Sequence, residues 1–185
     1  MAGTYLIAAA AAGGEIEISG IRSEELTSLT ALLEEGGAVV YREQDRIYLR
    51  CQRPFGRLCA KTGPYPDFPT DLQSPLLALM SVSGGGTVEE TVFESRFKTA
   101  LELNKMGAAA EGSGKMAKVR EGRRLRGCRV RAWDLRGGAA LVAAGLAAEG
   151  TTLVEQAEYI FRGYEDICRD LSSLGGTLWY RESAT

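Results

Sequence analysis

Histidine is absent from the 185 residues, and this absence removes more chemistry than any other feature of the composition. Without an imidazole there is no Ser-His-Asp triad, no Cys-His dyad and no histidine-bearing metal site. Cysteine is sparse: Cys51, Cys59, Cys128 and Cys168 form no CxxC pair and have no ligand cluster around them. A metal site is therefore not expected, and each cysteine reads as a small, reduced, partly buried apolar residue. No apolar run approaches the roughly 20 residues that a membrane helix requires. The apolar stretch from Tyr5 to Ala12 has no basic segment before it and runs into Gly13, Gly14 and Glu15. It reads as a buried helix, not a signal peptide, which makes the cytoplasm the expected compartment. A net charge of −2, with 45% apolar and 25% charged residues, fits an ordinary globular chain and argues against both disorder and a dedicated nucleic-acid binder. What is left for chemistry is carboxylates, arginines and backbone dipoles.

What is present is a repeat. Three segments share the order helix, glycine turn, strand, second helix, glycine turn and strand pairing, at a period of about 65–70 residues that suits a βαβ-type unit. The first runs "TYLIAAAAAGG", "EIEISGI", "SEELTSLTALLEEGG" and "AVVYREQDRIYLRCQ". The second runs "PTDLQSPLLALMSVSGGG", "TVEETVF", "SRFKTALELNKMG" and "AAAEGSGKMAKVREG"; the third runs "DLRGGAALVAAGLAAEG", "TTLVEQ", "RGYEDICRDLSSLGG" and "TLWYRE". Repeat units of about 1–55, 56–122 and 123–185 are expected from this period. Ser23 is placed to cap a helix with Glu24 and Glu25 in its first turn, and Leu26, Leu29 and Leu33 fall on one face. Tyr164, Ile167, Leu171 and Leu174 repeat that spacing, and Gly36, Gly107 and Gly175 stand where a glycine ends a helix. "AVVYREQDRIYLRCQ" reads as a hairpin turning near Gln44 and Asp45.

The repeat is irregular at both ends. Units two and three have extended lead-ins, "GRLCAKTGPYP" and "CRVRAWD", whereas unit one begins almost on its helix. Units one and two close with a hairpin, but unit three has only the single expected strand over 177–182. Either the terminal units are shortened caps or a longer protein supplies the missing pieces.

Two clusters are distractors. Arg120, Arg123, Arg124, Arg126, Arg129 and Arg131 crowd one segment, but no aromatics are interleaved and the net charge is negative. A solvated hairpin edge is the reading, not a nucleic-acid patch. Gly84–Gly86 and Gly137–Gly138 match neither GxGxxG after a strand nor a phosphate-binding loop.

At "PTDLQ", "ETVFESRF", "LNKMGA", "WDLRGGAALVAAGLAAEGTT" and "RGYEDI" the chain resembles the C-terminal half of the UDP-N-acetylglucosamine enolpyruvyl transferases, along essentially its whole length. The resemblance implies an α/β (α+β) fold: three βαβαββ units forming one domain of an inside-out α/β barrel, helices inside and sheets outside. It implies transfer of the enolpyruvyl group of phosphoenolpyruvate to the 3-hydroxyl of UDP-N-acetylglucosamine, with release of phosphate, as the first committed step toward peptidoglycan. No cofactor, metal, nucleic acid or membrane enters that reaction. The partner it implies is an N-terminal half carrying the second domain and the reactive-cysteine loop, a role that none of the four cysteines here takes. It also implies that this half supplies a strand before unit one and a partner for the last strand.

Residue by residue, Asp71 matches the carboxylate that contacts the 3-hydroxyl and serves as its general base. Read from the residues alone, Thr70, Asp71 and Gln73 form a capping box, and the two roles are compatible. Thr70 and Val92 match positions lining the sugar-nucleotide pocket, Val92 through its backbone. Arg96, Arg136 and Arg162 match cleft arginines, with Asp134 beside them, and Arg136 and Arg162 fall on the phosphoenolpyruvate side. Each arginine is expected at a helix start, where a cation is disfavoured unless it serves an anion. Three organisations are compatible with this pattern: a fragment of the transferase, a non-catalytic sugar-nucleotide-binding domain, and a half-enzyme working in trans.

Overall fold

The computed structural model describes residues 1–52, 55–93, 97–122 and 124–181. The first unit consists of α1 (Ala2–Ala12), β1 (Glu15–Ser19), a 3-10 turn and α2 (Thr27–Glu35), then the hairpin β2 (Val39–Arg42) and β3 (Arg46–Arg50). The second runs β4 (Leu58–Lys61), α3 (Gln73–Met80), β5 (Gly86–Glu89), α4 (Lys98–Lys105) and the hairpin β6 (Ala110–Ser113) and β7 (Met116–Val119). The third runs β8 (Arg129–Arg131), α5 (Leu135–Ala147), β9 (Leu153–Glu155), a 3-10 segment (Ala157–Arg162) and α6 (Ile167–Ser173).

The second sheet is the complete version, in the order β4-β5-β7-β6, with β4 parallel to β5 and the hairpin antiparallel. The first sheet, β1-β3-β2, has the hairpin without the parallel strand, and the third, β8-β9, has the parallel pair without a hairpin among the described residues. Gly86 shows how closely the parallel pair is laid down. At φ 155° it brings β5 so near β4 that an added Cβ would lie 1.8 Å from the Leu58 carbonyl oxygen.

The sheets enclose three helices that pack on one another, α1, α3 and α5. Their sequences dictate that place. Every residue of α3 is buried, as are Leu6, Ile7, Ala8, Ala10 and Ala11 of α1 and the run Gly137–Leu141 of α5. A helix apolar on all sides belongs in an interior. Leu76, Leu77, Leu79, Met80 and Leu103 have no exposed surface, and each such side chain contributes about 1.5–3 kcal/mol. The structure is the expected inside-out arrangement, with sheets outside and helices within.

Several local expectations give way to through-space partners. Ser23 does not cap a helix: its hydroxyl donates to the Glu43 carbonyl and its amide to Gln44, so the segment starts as a 3-10 turn tied to the hairpin. The left-handed residue after α2 is Gly37 (φ 105°), while Gly36 remains helical. Leu174 is exposed, although Tyr164, Ile167 and Leu171 are buried as expected, and Cys59 is exposed where burial was expected. The expected last strand is not a strand. Residues 177–181 run irregularly, with Tyr180 edge-on to Phe161 at 4.9 Å, and Glu182 lies outside the described residues. An extended segment becomes a strand only when a neighbour takes its backbone hydrogen bonds, and the described residues place none there. The arginine run is a solvated edge: Arg120 pairs with Glu111, Arg124 with Glu149 and Arg129 with Glu155, while Arg123 lies outside the described residues.

Candidate active site

The first turns of the three central helices meet at one end of the bundle. Asp71 lies just before α3 and Arg136 in the first turn of α5, and Gly3 in the first turn of α1 lies so close to Leu72 that an added Cβ would fall 2.7 Å from Leu72 Cδ1. Arg136 grips Asp71 bidentately, Nε to Oδ1 at 2.5 Å and Nη2 to Oδ2 at 2.6 Å. Side chains 65 positions apart are thereby joined across two units. The fork matches the carboxylate geometry and raises the guanidinium pKa above its ordinary value, with burial opposing. The pair stays reachable, since Asp71 is 54% exposed and Arg136 34%.

Beside it lies a cleft of about 350 Å³ lined by Trp133, Asp134, Leu135, Arg136, Tyr159 and Arg162. Asp134 caps α5, Oδ1 accepting from the Gly137 amide at 2.8 Å, so one of its oxygens is committed to the helix. Arg162 stands in the last turn of the 3-10 segment, not at a helix start as expected, with its guanidinium 5.0 Å from the centre of the Tyr159 ring. Arg96 lies outside the described residues.

The capping box is not formed. Pro69, not Thr70, occupies the N-cap position, and the Thr70 hydroxyl donates to Glu90 Oε2 at 2.8 Å. The Glu90 carboxylate is a strong acceptor for the hydroxyl proton, because hydrogen bonds with an ionised partner are roughly twice as strong as neutral ones. Val92 is exposed, but its amide also donates to Glu90, at Oε1 and 2.8 Å.

Two buried carboxylates therefore support the site, and neither was anticipated from the sequence. Glu90 is 1% exposed and accepts from Thr62, Thr70, Val92 and Phe93. Glu102, on α4, is 2% exposed and accepts from Lys105, from the Arg131 amide at 3.0 Å and from the Trp133 indole at 3.1 Å. It thus anchors the strand and loop that lead to Asp134 and Arg136. A signal for both was available. Alternation along β5 puts Gly86, Val88 and Glu90 on one inward face, and Thr99, Glu102, Leu103 and Met106 share the inward side of α4.

Burial works to raise the pKa of both carboxyls, but their hydrogen bonds outweigh it and hold both below the ordinary value. A folded pKa below the unfolded one gives stability that is complete above the unfolded-chain value of about 4.3. That stability is lost as pH falls through the folded pKa. Glu102→Gln should therefore cost about 1–3 kcal/mol near neutral pH. The melting-temperature gap to wild type should be constant above about pH 5 and shrink with acid. A gap that widens on acidification would contradict this account of Glu102.

Comparison with known proteins fits this geometry. The EPSP synthase (3-phosphoshikimate 1-carboxyvinyltransferase) family profile matches residues 1–171. The chain is 45% identical over 179 residues to a UDP-N-acetylglucosamine 1-carboxyvinyltransferase of Desulfofundulus thermocisternus, covering 96% of this chain and 74% of that one. It is 43% identical over 185 residues to UDP-N-acetylglucosamine 1-carboxyvinyltransferase 2 of Geobacillus kaustophilus, covering all of this chain but 43% of the relative. Among solved structures, the enolpyruvyl transferase NikO from Streptomyces tendae aligns with TM-score 0.82 at 26% identity, over 95% of this chain and 43% of that one. An EPSP synthase from Acinetobacter baumannii shares the fold, with TM-score 0.72 at 17% identity over 95% of this chain and 45% of that one. The chain thus spans less than half the length of most of these relatives.

Proposed function

From a chain that belongs to the EPSP synthase family of enolpyruvyl (carboxyvinyl) transferases, we propose one half of an enzyme that transfers the enolpyruvyl group of phosphoenolpyruvate to the 3-hydroxyl of UDP-N-acetylglucosamine, releasing phosphate. The observation that carries this reading is the Asp71–Arg136 pair at the meeting of the helix starts: a proton acceptor and an anion receptor held in contact and open to solvent. Asp71 takes the proton of the attacking hydroxyl. Arg136 and Arg162 hold the phosphate and carboxylate of phosphoenolpyruvate, anions suited to the guanidinium fork. Thr70, Val92, Arg96 and Asp134 contact the sugar nucleotide. In the present arrangement Arg136 takes one lone pair on each oxygen of Asp71 and leaves the others open to a hydroxyl. An incoming anion gives Arg136 a further partner, which places the base and the anion receptor against the two substrates at once.

The other half of the protein is the proposed partner. Among the described residues the parallel strand of the complete second sheet has no counterpart on β1, and its hairpin has none on β9, which leaves open edges that another segment can complete. On this reading residues 1–185 form one incomplete domain with units of about 1–55, 56–122 and 123–185. The pathway served is peptidoglycan synthesis in the cytoplasm. No helix among the described residues is long and apolar enough to cross a membrane. Half-enzyme action in trans remains the second reading, favoured by the same open edges.

Amide-shift titration of the chain tests the site. UDP-N-acetylglucosamine should shift resonances around Thr70, Asp71 and Val92, and phosphoenolpyruvate those around Arg136 and Arg162. Shifts elsewhere only, or none at saturating ligand, would overturn the reading.

A further inference from the structure

Three successive backbone amides after β5, those of Thr91, Val92 and Phe93, all donate inward. The Thr91 amide reaches Thr62 Oγ1 at 2.9 Å, and the next two reach Glu90 Oε1 at 2.8 and 3.2 Å. Consecutive amides turned to one side make a concavity that attracts an anion. Here the chain supplies the anion itself. Glu90 is almost wholly buried, and its Oε1 also accepts the Thr62 hydroxyl at 2.8 Å, while its Oε2 accepts that of Thr70 at 2.8 Å. The Thr62 backbone is held as well, its carbonyl accepting the Thr91 hydroxyl at 2.6 Å.

We infer that Glu90 is a positioning residue that sets the polarity of the surface around Asp71, beside the cleft. By consuming the Thr70 hydroxyl proton and the Val92 and Phe93 amide protons, it leaves that side offering acceptors, so that the side takes an uncharged, hydroxyl-bearing face of a ligand and rejects an anion. With its proton committed to Glu90, Thr70 has only lone pairs left to offer, and Val92 has its carbonyl. Asp71 adds a carboxylate, which accepts only. Arg136, beyond the two donors it gives Asp71, and Arg162 line the adjoining cleft and form the anion-taking side. The site is thereby divided between a sugar face around Asp71 and an anion face in the adjoining cleft, and Glu90 prevents the amide concavity from becoming a second anion site. This rests on the reading that the cleft takes a sugar nucleotide and an anion.

Glu90→Gln and Glu90→Ala separate the possibilities. Gln keeps Oε1 for Thr62, Val92 and Phe93, but its Nε2 must donate to Thr70 Oγ1, which turns the Thr70 proton outward. Amide hydrogen exchange at Val92 and Phe93 should stay close to wild type in Gln. UDP-N-acetylglucosamine should bind about tenfold more weakly, the loss expected for one mismatched hydrogen bond. In Ala the two amides should lose their protection, and formate or inorganic phosphate should shift their resonances saturably and restore the melting temperature. Wild type should show no such anion effect at those amides. Unchanged exchange at Val92 and Phe93 in Ala, or unchanged sugar-nucleotide affinity in Gln, would overturn the inference. If Ala does not fold, the Gln affinity decides. Failure of wild type to bind UDP-N-acetylglucosamine would instead sink the proposed function, leaving the amide and anion readouts to judge Glu90 on their own.

Discussion

Mixed with phosphoenolpyruvate and UDP-N-acetylglucosamine, this chain by itself is expected to release no phosphate above background. Its candidate base and its anion receptor are both present, and the fold holds them 2.5–2.6 Å apart, so the expectation does not come from a disordered site. It comes from what a single face of a cleft cannot do. Asp71 is 54% exposed, so water competes for the carboxylate and screens its field. One face also cannot fix two substrates against each other, and orientation of that kind is worth effective molarities of about 10⁵–10⁸ M. Loss of that advantage and of water exclusion places any residual rate at least about 10⁵-fold below that of a complete enzyme. A continuous phosphate assay decides it. Substrate-dependent release by the purified chain would show that the described cleft needs no second face.

In an enzyme completed by its other half, Asp71→Asn should lose about 10²–10⁴ in turnover, the usual contribution of a general base. Asn preserves the volume and one hydrogen bond from Arg136, but it cannot accept the hydroxyl proton. Stability should change by about 1 kcal/mol or less, because ion pairs this exposed contribute little. A purely structural role for Asp71 predicts the reverse: near-normal turnover and a lowered melting temperature. Measuring both on one preparation separates the two, and normal turnover would remove Asp71 from the reaction. Glu102→Gln is the useful contrast, since its effect should appear first in stability and its acid dependence.

The sequence by itself determined the repeat, the burial of the apolar helix over Tyr5–Ala12 and the hairpin turning near Asp45, while the inward place of the other central helices came with the resemblance to a known family. The first three follow from periodicity, glycine and side-chain polarity within a few neighbouring residues. Asp71, Arg136 and Arg162 were also legible as site candidates, through the segments that resemble a known family. What only the tertiary structure decided is which partner each polar group takes. Ser23 and Thr70 carry hydroxyls that local reasoning assigns to helix caps, yet they go to the Glu43 carbonyl and to Glu90, from hairpin and strand segments 20 positions away. Glu90 and Glu102 drew no notice in the sequence, although alternation and helical spacing put both on inward faces, because the donors that bury them come from segments distant in the chain. The 177–182 segment has a strand's composition, but among the described residues no ladder neighbour gives 177–181 a strand's conformation. A hydrogen bond is awarded by competition among every donor and acceptor that folding brings within about 3 Å, and the chain order does not state which those will be.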